Sequence, residues 1–149
     1  PVYFSKGEIQ NPQRMIRALE VKQSTGKSIM EFQSHKKKER DFAIIKIGLE
    51  LPKEELHQNI NNRVDGMINN GLLNEVKNLS PFKDLNALQT VGYKELYDHL
   101  DGKVSMDKAI EEIKTNTRQY AKRQMTWFKK DKEIKWMSPQ LSLSDMLNF

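Results

Sequence analysis

Apolar residues recur every three or four positions along much of this chain, the spacing of one face of an α-helix. Asn11 and Pro12 predict the start of a first helix, with Asn11 as N-cap, and Gly26 predicts its end. The apolar side of this helix is formed by Met15, Ile16, Leu19 and Val21.

A second helix is predicted to open at Pro52 and to end with Gly71 as its C-cap. Its inner face is expected to consist of Leu56, Ile60, Val64, Met67 and Ile68. The helical spacing returns briefly at residues 72–79 and again at residues 93–100, where Gly102 stops it. The fold is therefore expected to be mostly α-helical.

The longest helical pattern runs from Ser105, its predicted N-cap, to Lys130 without a proline or glycine. One face is expected to pack inward and carries Met106, Ile110, Ile113, Thr117, Tyr120, Gln124 and Trp127. Cations lie on both flanks of this face: Lys114, Arg118 and Lys122 on one, Arg123 and Lys130 on the other.

Only one stretch strongly favours a strand, the short β-branched run at residues 42–49, and it is expected to be buried. Residues 134–137 could form a second, short edge strand. A lone buried strand needs hydrogen-bonding partners, so the chain is expected to be the C-terminal part of a larger α/β protein. Residues 1–10 are predicted to be irregular, residues 34–40 an exposed basic loop, and residues 142–149 a last amphipathic turn or two.

Composition narrows the function classes only slightly. The 149 residues include 25 Lys plus Arg against 20 Asp plus Glu, a cationic bias compatible with nucleic acid or phosphate ligands. The absence of cysteine excludes disulfides and thiolate chemistry. The chain has no apolar run long enough to span a membrane, and its N-terminus shows no signal-peptide pattern. The protein is therefore expected to be cytoplasmic and to have no membrane partner.

Several apparent motifs are better explained by structure than by chemistry. Residues 25–28, Thr-Gly-Lys-Ser, resemble the end of a phosphate-binding loop, but Val21 stands where its first glycine belongs, so a helix end is the better interpretation. The three histidines have no metal-ligand spacing, and no metal ligand or catalytic residue is predicted. The pairs 54–55 and 111–112, both Glu-Glu, are expected in first turns of helices, where carboxylates complement the helix dipole.

Three patches combine cations with residues that can stack on bases or approach a phosphate backbone. The first patch is Gln13, Arg14, Met15, Ile16 and Arg17. The second is Gln89, Thr90, Val91, Gly92, Tyr93 and Lys94. The third is Arg118, Lys122, Arg123, Gln124, Met125, Thr126, Trp127, Phe128 and Lys129.

Each patch also has a structural explanation. Arg17 could pair with Glu20, Gly92 could simply begin a helix, and the basic helix could be a solvated face above an ordinary core stripe. The coincidence of three such patches in one short chain favours an RNA-binding surface.

Four segments together resemble the C-terminal half of the bacterial tRNA dimethylallyltransferases, also called tRNA isopentenyltransferases. They are residues 11–28, residues 63–76 with Arg-Val-Asp-Gly-Met and Gly-Leu, residues 91–96 with Val-Gly-Tyr-Lys-Glu-Leu, and residues 117–127. The resemblance covers approximately residues 8–137 and is specific, because the segments match in both sequence and order.

The resemblance implies a fold, an activity and partners. The fold would be part of a P-loop-kinase-like α/β fold. The activity would be transfer of a dimethylallyl group from its diphosphate to N6 of the adenosine 3′ of the anticodon, with Mg²⁺ bound mainly outside this chain. Residues 13–17, 89–94 and 122–129 would contact the tRNA anticodon stem-loop, and Arg63 would reach toward the diphosphate.

Three family features do not occur in these residues: the glycine-rich phosphate loop, the general-base aspartate and the segment of the N-terminal half that contacts the anticodon loop. The chain alone is therefore expected to bind tRNA without catalysing transfer, through a tRNA-binding portion at residues 11–137 followed by a tail at residues 138–149. A stand-alone RNA-binding module without catalysis and a basic helical structural protein remain alternatives.

Overall fold

The computed structural model of the chain describes residue 3, residues 9–33, residues 40–142 and residue 144. The predictions for residues 1–10, 34–40 and 142–149 therefore fall mainly outside the described residues. The chain divides into two compact units, Pro1–Ile44 and Ile45–Phe149.

The first unit contains helix α1, Pro12–Thr25, and the short helix α2, Ile29–Phe32. The predicted N-cap is confirmed, because the Asn11 side chain accepts a hydrogen bond from the Arg14 backbone N–H at 3.2 Å. The predicted end is also confirmed: Gly26 adopts the left-handed conformation with φ of 71°, which glycine tolerates without strain. Ser28 then caps α2, so residues 25–28 are a helix end followed by a helix start.

In the second unit, helices fill the sequence between strands β1 and β2. The elements in order are β1 Lys46–Leu49, α3 Lys53–Asn69, α4 Leu72–Asn78, 3₁₀ turns Ser80–Phe82 and Asn86–Leu88, α5 Tyr93–Leu100, α6 Met106–Phe128 and β2 Ile134–Met137. The described part of the chain is thus mostly α with two strands, as the spacing predicted.

A single apolar cluster holds helices α3 to α6 together. Its buried members are Val64, Leu72, Val76, Leu96, Tyr97, Ala109 and Ile113. Leu96 and Ile113 are almost completely removed from solvent. The cluster stabilises the N-terminal half of α6 against α5 and α3, and it fixes where the rest of α6 projects.

The two strands pair in parallel, with Lys46 opposite Ile134 and Leu49 opposite Met137. The strand predicted for residues 134–137 is confirmed. The prediction of a buried strand over residues 42–49 was wrong in its extent and in its burial. Only residues 46–49 form a strand, none of them is buried, and Phe42, Ile44 and Ile45 are exposed. Residues 42–45 have no partner strand among the described residues, and unpaired backbone cannot form a ladder.

Three helix predictions need correction. The C-cap of α3 is Asn70 rather than Gly71, although Gly71 takes the left-handed conformation one residue later. Glu111 and Glu112, which were expected in the first turn of α6, lie beyond it. The acidic residue in that first turn is Asp107.

The third correction concerns the face of α6 that was expected to pack inward. Its C-terminal half does not: Tyr120, Gln124 and Trp127 are all exposed. The reason is that the apolar cluster reaches α6 only as far as Ile113, so helical spacing continues beyond the element that would bury it.

Candidate nucleic-acid interface

The C-terminal half of α6 presents aromatic rings and cations together at the surface. Tyr120 is 52% exposed and Trp127 is 67% exposed. The guanidinium carbon of Arg123 lies 5.9 Å from the centre of the Tyr120 ring, within the range of a cation–π contact. The Trp127 and Phe128 rings meet edge to face, with centroids 4.9 Å apart. This half of the helix therefore offers flat π-faces beside positive charge.

A shallow cleft of about 290 Å³ lies on this surface, lined by Lys122, Arg123, Thr126, Trp127 and Lys130. The Thr126 hydroxyl donates to the Lys122 backbone carbonyl at 2.9 Å, which holds that side chain against the helix. Three cations around an exposed indole can bind phosphates and leave the ring free for an unpaired base.

The other flank of α6 is largely occupied by contacts to α3. Arg118 donates one hydrogen bond to the Asn61 side chain at 2.8 Å and another to Thr115 at 2.9 Å. Lys114 forms an ion pair with Asp65 at 2.8 Å, and this hydrogen bond raises the pKa of Lys114 above its ordinary value. Arg118, which was predicted to bind tRNA, therefore holds two helices together in this structure.

Two other predicted residues of this patch, Met125 and Lys129, face the strands. Met125 is half-buried, and it lines a cleft of about 1040 Å³ that α6 forms with β1 and β2. Lys129 pairs with Glu50 and lies 5.8 Å from the centre of the Trp136 ring. Lys129 thus has partners before any ligand binds.

A groove of about 600 Å³ brings together residues from three of the motif segments. Arg63 comes from α3, Thr90 and Val91 precede α5, and Tyr120 and Gln124 come from α6. Its floor is apolar and includes Ile60, Val64, Met67 and Ile113. The sequence predicted Arg63 as a diphosphate contact, and Thr90, Val91 and Gln124 as parts of two tRNA-binding patches. The structure places all four around one groove.

Arg63 is exposed at the edge of this groove. Among the residues that the structure describes, its guanidinium forms no ion pair. An Arg without a carboxylate partner retains its full capacity for forked hydrogen bonds to phosphate oxygens.

The segment from Gln89 to Lys94 has both a structural and an exposed part. Gln89 donates to the Lys83 carbonyl at 2.6 Å, and Gly92 begins helix α5 with φ of 101°. Tyr93 donates its hydroxyl to the Glu75 carboxylate, and this bond raises the pKa of Tyr93 above its ordinary value. The helix-start interpretation is therefore confirmed for Gly92, while Thr90, Val91 and Lys94 remain exposed.

The sequence interpretation missed two residues behind this segment, Glu95 and Asn116. Glu95 is only 5% exposed and accepts hydrogen bonds from the Gly92 backbone N–H at 2.8 Å and from the Asn116 side-chain amide at 2.6 Å. Glu at the third helical position after Gly92 was the available signal, because a carboxylate there reaches back to the helix start.

The first patch lies in the first unit, on the opening turns of α1. Arg17 forms an exposed ion pair with Glu20 at 3.1 Å, as one of the alternatives predicted. Such a pair contributes only about 0–1 kcal/mol, so a phosphate could replace it. Gln13, Met15 and Ile16 are exposed on the same turns, and the Arg14 carbonyl accepts a hydrogen bond from Tyr3.

The described residues contain neither a metal-ion site nor a membrane span. Within residues 9–33 and 40–142, no three His, Cys, Asp or Glu side chains converge closely enough to hold a metal ion. No helix in the described part of the chain has the length and apolar character to cross a membrane.

Comparison with known proteins places these features in a family. The family model described as IPP transferase matches residues 1–131. The chain is 54% identical to the tRNA dimethylallyltransferase of Christiangramia forsetii, covering 91% of this chain and 45% of the relative. It is 49% identical to tRNA dimethylallyltransferase 1 of Bacteroides fragilis, covering 94% of this chain and 46% of that protein.

Solved structures agree with the sequence comparison. The tRNA delta(2)-isopentenylpyrophosphate transferase of Staphylococcus epidermidis superposes with a TM-score of 0.65 at 36% identity, covering 96% of this chain and 48% of that one. The corresponding Bacillus halodurans enzyme also gives 0.65 at 36% identity, with 93% and 42% covered. The chain spans less than half the length of these relatives, and it belongs to the IPP transferase family.

Proposed function

We propose that this chain is the tRNA-binding part of a tRNA dimethylallyltransferase. The whole protein would transfer a dimethylallyl group from its diphosphate to N6 of the adenosine 3′ of the anticodon. In that reaction N6 bonds to the first carbon of the prenyl group, the carbon–oxygen bond to diphosphate breaks, and a base removes the N6 proton. The chain would contribute RNA binding and one diphosphate contact.

The observation that carries this proposal is the 600 Å³ groove. It is lined by Arg63, Thr90, Val91 and Tyr120, so a cation, an exposed loop and an aromatic side chain border one concave surface. An extruded base needs a stacking partner and polar groups at its edge, and a diphosphate needs a cation with free donors. This groove offers both kinds of group side by side.

The exposed half of α6 extends the same chemistry along the surface. Lys122, Arg123 and Lys130 would contact phosphates of the anticodon stem-loop, and Trp127 would stack on an unpaired base. The Gln13–Arg17 patch would add further phosphate contacts from the first unit.

Catalysis would depend on groups that these residues do not supply. The chain contains no complete glycine-rich phosphate loop, and the described carboxylates form no cluster that fits Mg²⁺. We therefore assign Mg²⁺ and the general base to parts of the protein other than the described residues. The chain alone would bind tRNA and transfer nothing, in the cytoplasm where tRNA is modified.

The test is binding of the 149-residue chain to an anticodon stem-loop hairpin with adenosine 3′ of the anticodon. A hairpin of the same stem with a scrambled loop measures loop dependence, and titration between about 50 and 200 mM salt measures phosphate contacts. Tighter binding to the first hairpin, with a steep loss of affinity as salt rises, is the expected result. Equal binding to both hairpins contradicts recognition of the loop.

Matched variants separate a specific surface from overall charge. Lys122→Ala removes an exposed cation from the proposed surface, and Lys108→Ala removes one from the opposite end of the same helix, where it pairs with Glu112. Lys122→Ala is expected to weaken hairpin binding and Lys108→Ala to leave it nearly unchanged. Equal losses in both variants would mean that the cations act only through the net charge of the chain.

A further inference from the structure

One buried carboxylate connects the loop before α5 to the middle of α6. Glu95 lies in the first turn of α5 and uses both of its oxygens. One accepts the Gly92 backbone N–H at 2.8 Å, and the other accepts the side-chain amide of Asn116 at 2.6 Å. Burial of a carboxylate destabilises the fold unless hydrogen-bond donors satisfy it, and Glu95 is almost fully buried. The folded state therefore requires both hydrogen bonds.

Both anchor points lie directly beside walls of the 600 Å³ groove. Gly92 follows Thr90 and Val91, which form one wall, and Asn116 precedes Thr117 on α6, which belongs to the other. Glu95 itself does not line the groove. The bridge therefore connects the segments that carry the two walls, and Glu95 stays outside the groove itself.

We propose that Glu95 is a positioning residue for RNA binding, which holds the Thr90–Val91 wall at a fixed distance from α6 through Gly92 and Asn116. This inference rests on the proposed function, because it concerns the same groove. Residues 89–92 contain little regular structure. Their other described hydrogen bonds join Gln89 to the Lys83 and Asn86 carbonyls, and the Lys94 backbone N–H to the Thr90 carbonyl. Without the bridge, the loop would sample several positions, and binding would bear the cost of ordering it.

An exchange of groups between the two partners tests this geometry. Asn116→Asp faces the Glu95 carboxylate with a second carboxylate, which removes the donor and adds repulsion. Adding Glu95→Gln to the same chain restores one donor and one acceptor, because the new amide can donate to the carboxylate introduced at position 116 while its oxygen accepts from Gly92. The double variant has the net charge of the unaltered chain, so its behaviour reports geometry rather than charge.

A matched control adds the same charge elsewhere. Asn62 on α3 is exposed, and its side-chain oxygen accepts a hydrogen bond from Gln58 at 2.8 Å. Asn62→Asp keeps that acceptor and adds one negative charge outside the bridge. Its hairpin affinity is expected to stay within about twofold of the unaltered chain, as is usual for surface positions.

Two measurements are made on each variant: hairpin affinity, and hydrogen exchange at the Gly92 amide as a direct measure of the bridge. Asn116→Asp is expected to lower affinity about tenfold, the effect of losing one hydrogen bond to a charged group, and to accelerate exchange at Gly92. The slope of affinity with salt should not change, because no phosphate contact is lost. The double variant is expected to recover both properties.

The outcomes are distinct. Unchanged affinity of Asn116→Asp despite faster exchange at Gly92, or a double variant that does not recover affinity, overturns the positioning role while the proposed function stands. If Asn116→Asp does not fold, Asn116→Ala replaces it, and loss of affinity with the fold intact is then the supporting result. If the unaltered chain binds no hairpin at all, the proposed function fails, and the role of Glu95 in binding fails with it.

Discussion

Replacement of Trp127 by alanine should weaken RNA binding and leave the fold nearly intact. The side chain is 67% exposed and lies outside the apolar cluster, and its one described ring contact is the edge-to-face pair with Phe128. We therefore expect the free energy of unfolding to change by about 1 kcal/mol or less.

The loss of affinity can be estimated from the exposed area. Tryptophan side chains bury roughly 150–250 Å² in complexes, so two thirds of one leaves about 100–170 Å² for a ligand. A stacked base covers one ring face, about half of that area, which corresponds to about 1–2 kcal/mol at ~25 cal/mol/Å². Stacking of one base on an aromatic residue is typically worth ~1–3 kcal/mol. Trp127→Ala should thus raise the Kd for the hairpin about 5- to 30-fold.

Intrinsic fluorescence provides a direct assay, because the chain has only two tryptophans, Trp127 and Trp136. In a Trp136→Phe background the emission comes from Trp127 alone, and a base stacked on the indole should quench it. Trp127→Phe is the matched control, since it keeps a smaller aromatic face and should retain part of the affinity. A saturating hairpin that leaves the emission unchanged, or a Trp127→Ala variant that binds as tightly as the unaltered chain, would refute the stacking role.

Three further predictions concern stability and charge. Gly48→Ala should destabilise the chain by about 1–3 kcal/mol in urea denaturation, because a Cβ there would lie 2.8 Å from side chains of β2. Gly66→Ala should instead stabilise the chain by about 0.5–1 kcal/mol, because Gly66 is helical and its Cβ would meet open space. Arg118→Ala should lower stability with little change in the salt dependence of RNA binding, whereas Lys122→Ala should reduce the slope of log affinity against log salt by about 0.7–0.9. Hydrogen bonds from Lys103 and Lys83 hold the pKa of Asp101 below its ordinary value. Asp101→Asn should therefore reduce the free energy of unfolding at neutral pH. The variant should also lose less stability than the unaltered chain as the pH falls below about 4.

Each of these predictions has a contradicting result. Equal stability changes for the two glycine variants would show that β2 moves to accommodate a methyl group. A reduced salt slope for Arg118→Ala would mean that this guanidinium leaves Asn61 to contact phosphate. An unchanged acid limb in the Asp101 variant would mean that its lysine partners do not favour the ionised carboxylate in solution.

Local signals in the sequence predicted the helices and their ends well. Asn11 and Ser105 cap helices as expected, and Gly26 ends one, because capping depends on residues within one turn of each other. The family resemblance also came from sequence alone, since its motifs are short and ordered along the chain. The position of Glu95, three residues after Gly92, indicates its capping contact with the helix start. Its other partner, Asn116, lies 21 positions away, and no local pattern predicts that contact.

What the sequence determined by itself was therefore the mostly helical fold, the boundaries of the five longer helices to within a residue or two, and the family. The tertiary structure decided which apolar residues are buried: helical spacing continues through Tyr120 and Trp127, but the apolar cluster ends at Ile113 and leaves both exposed. It also decided that Arg63, Thr90 and Tyr120 share one groove, and that Arg118 binds Asn61 rather than standing free. The physical reason is that spacing and capping act within a few residues, whereas burial and ion pairing depend on which distant elements pack together.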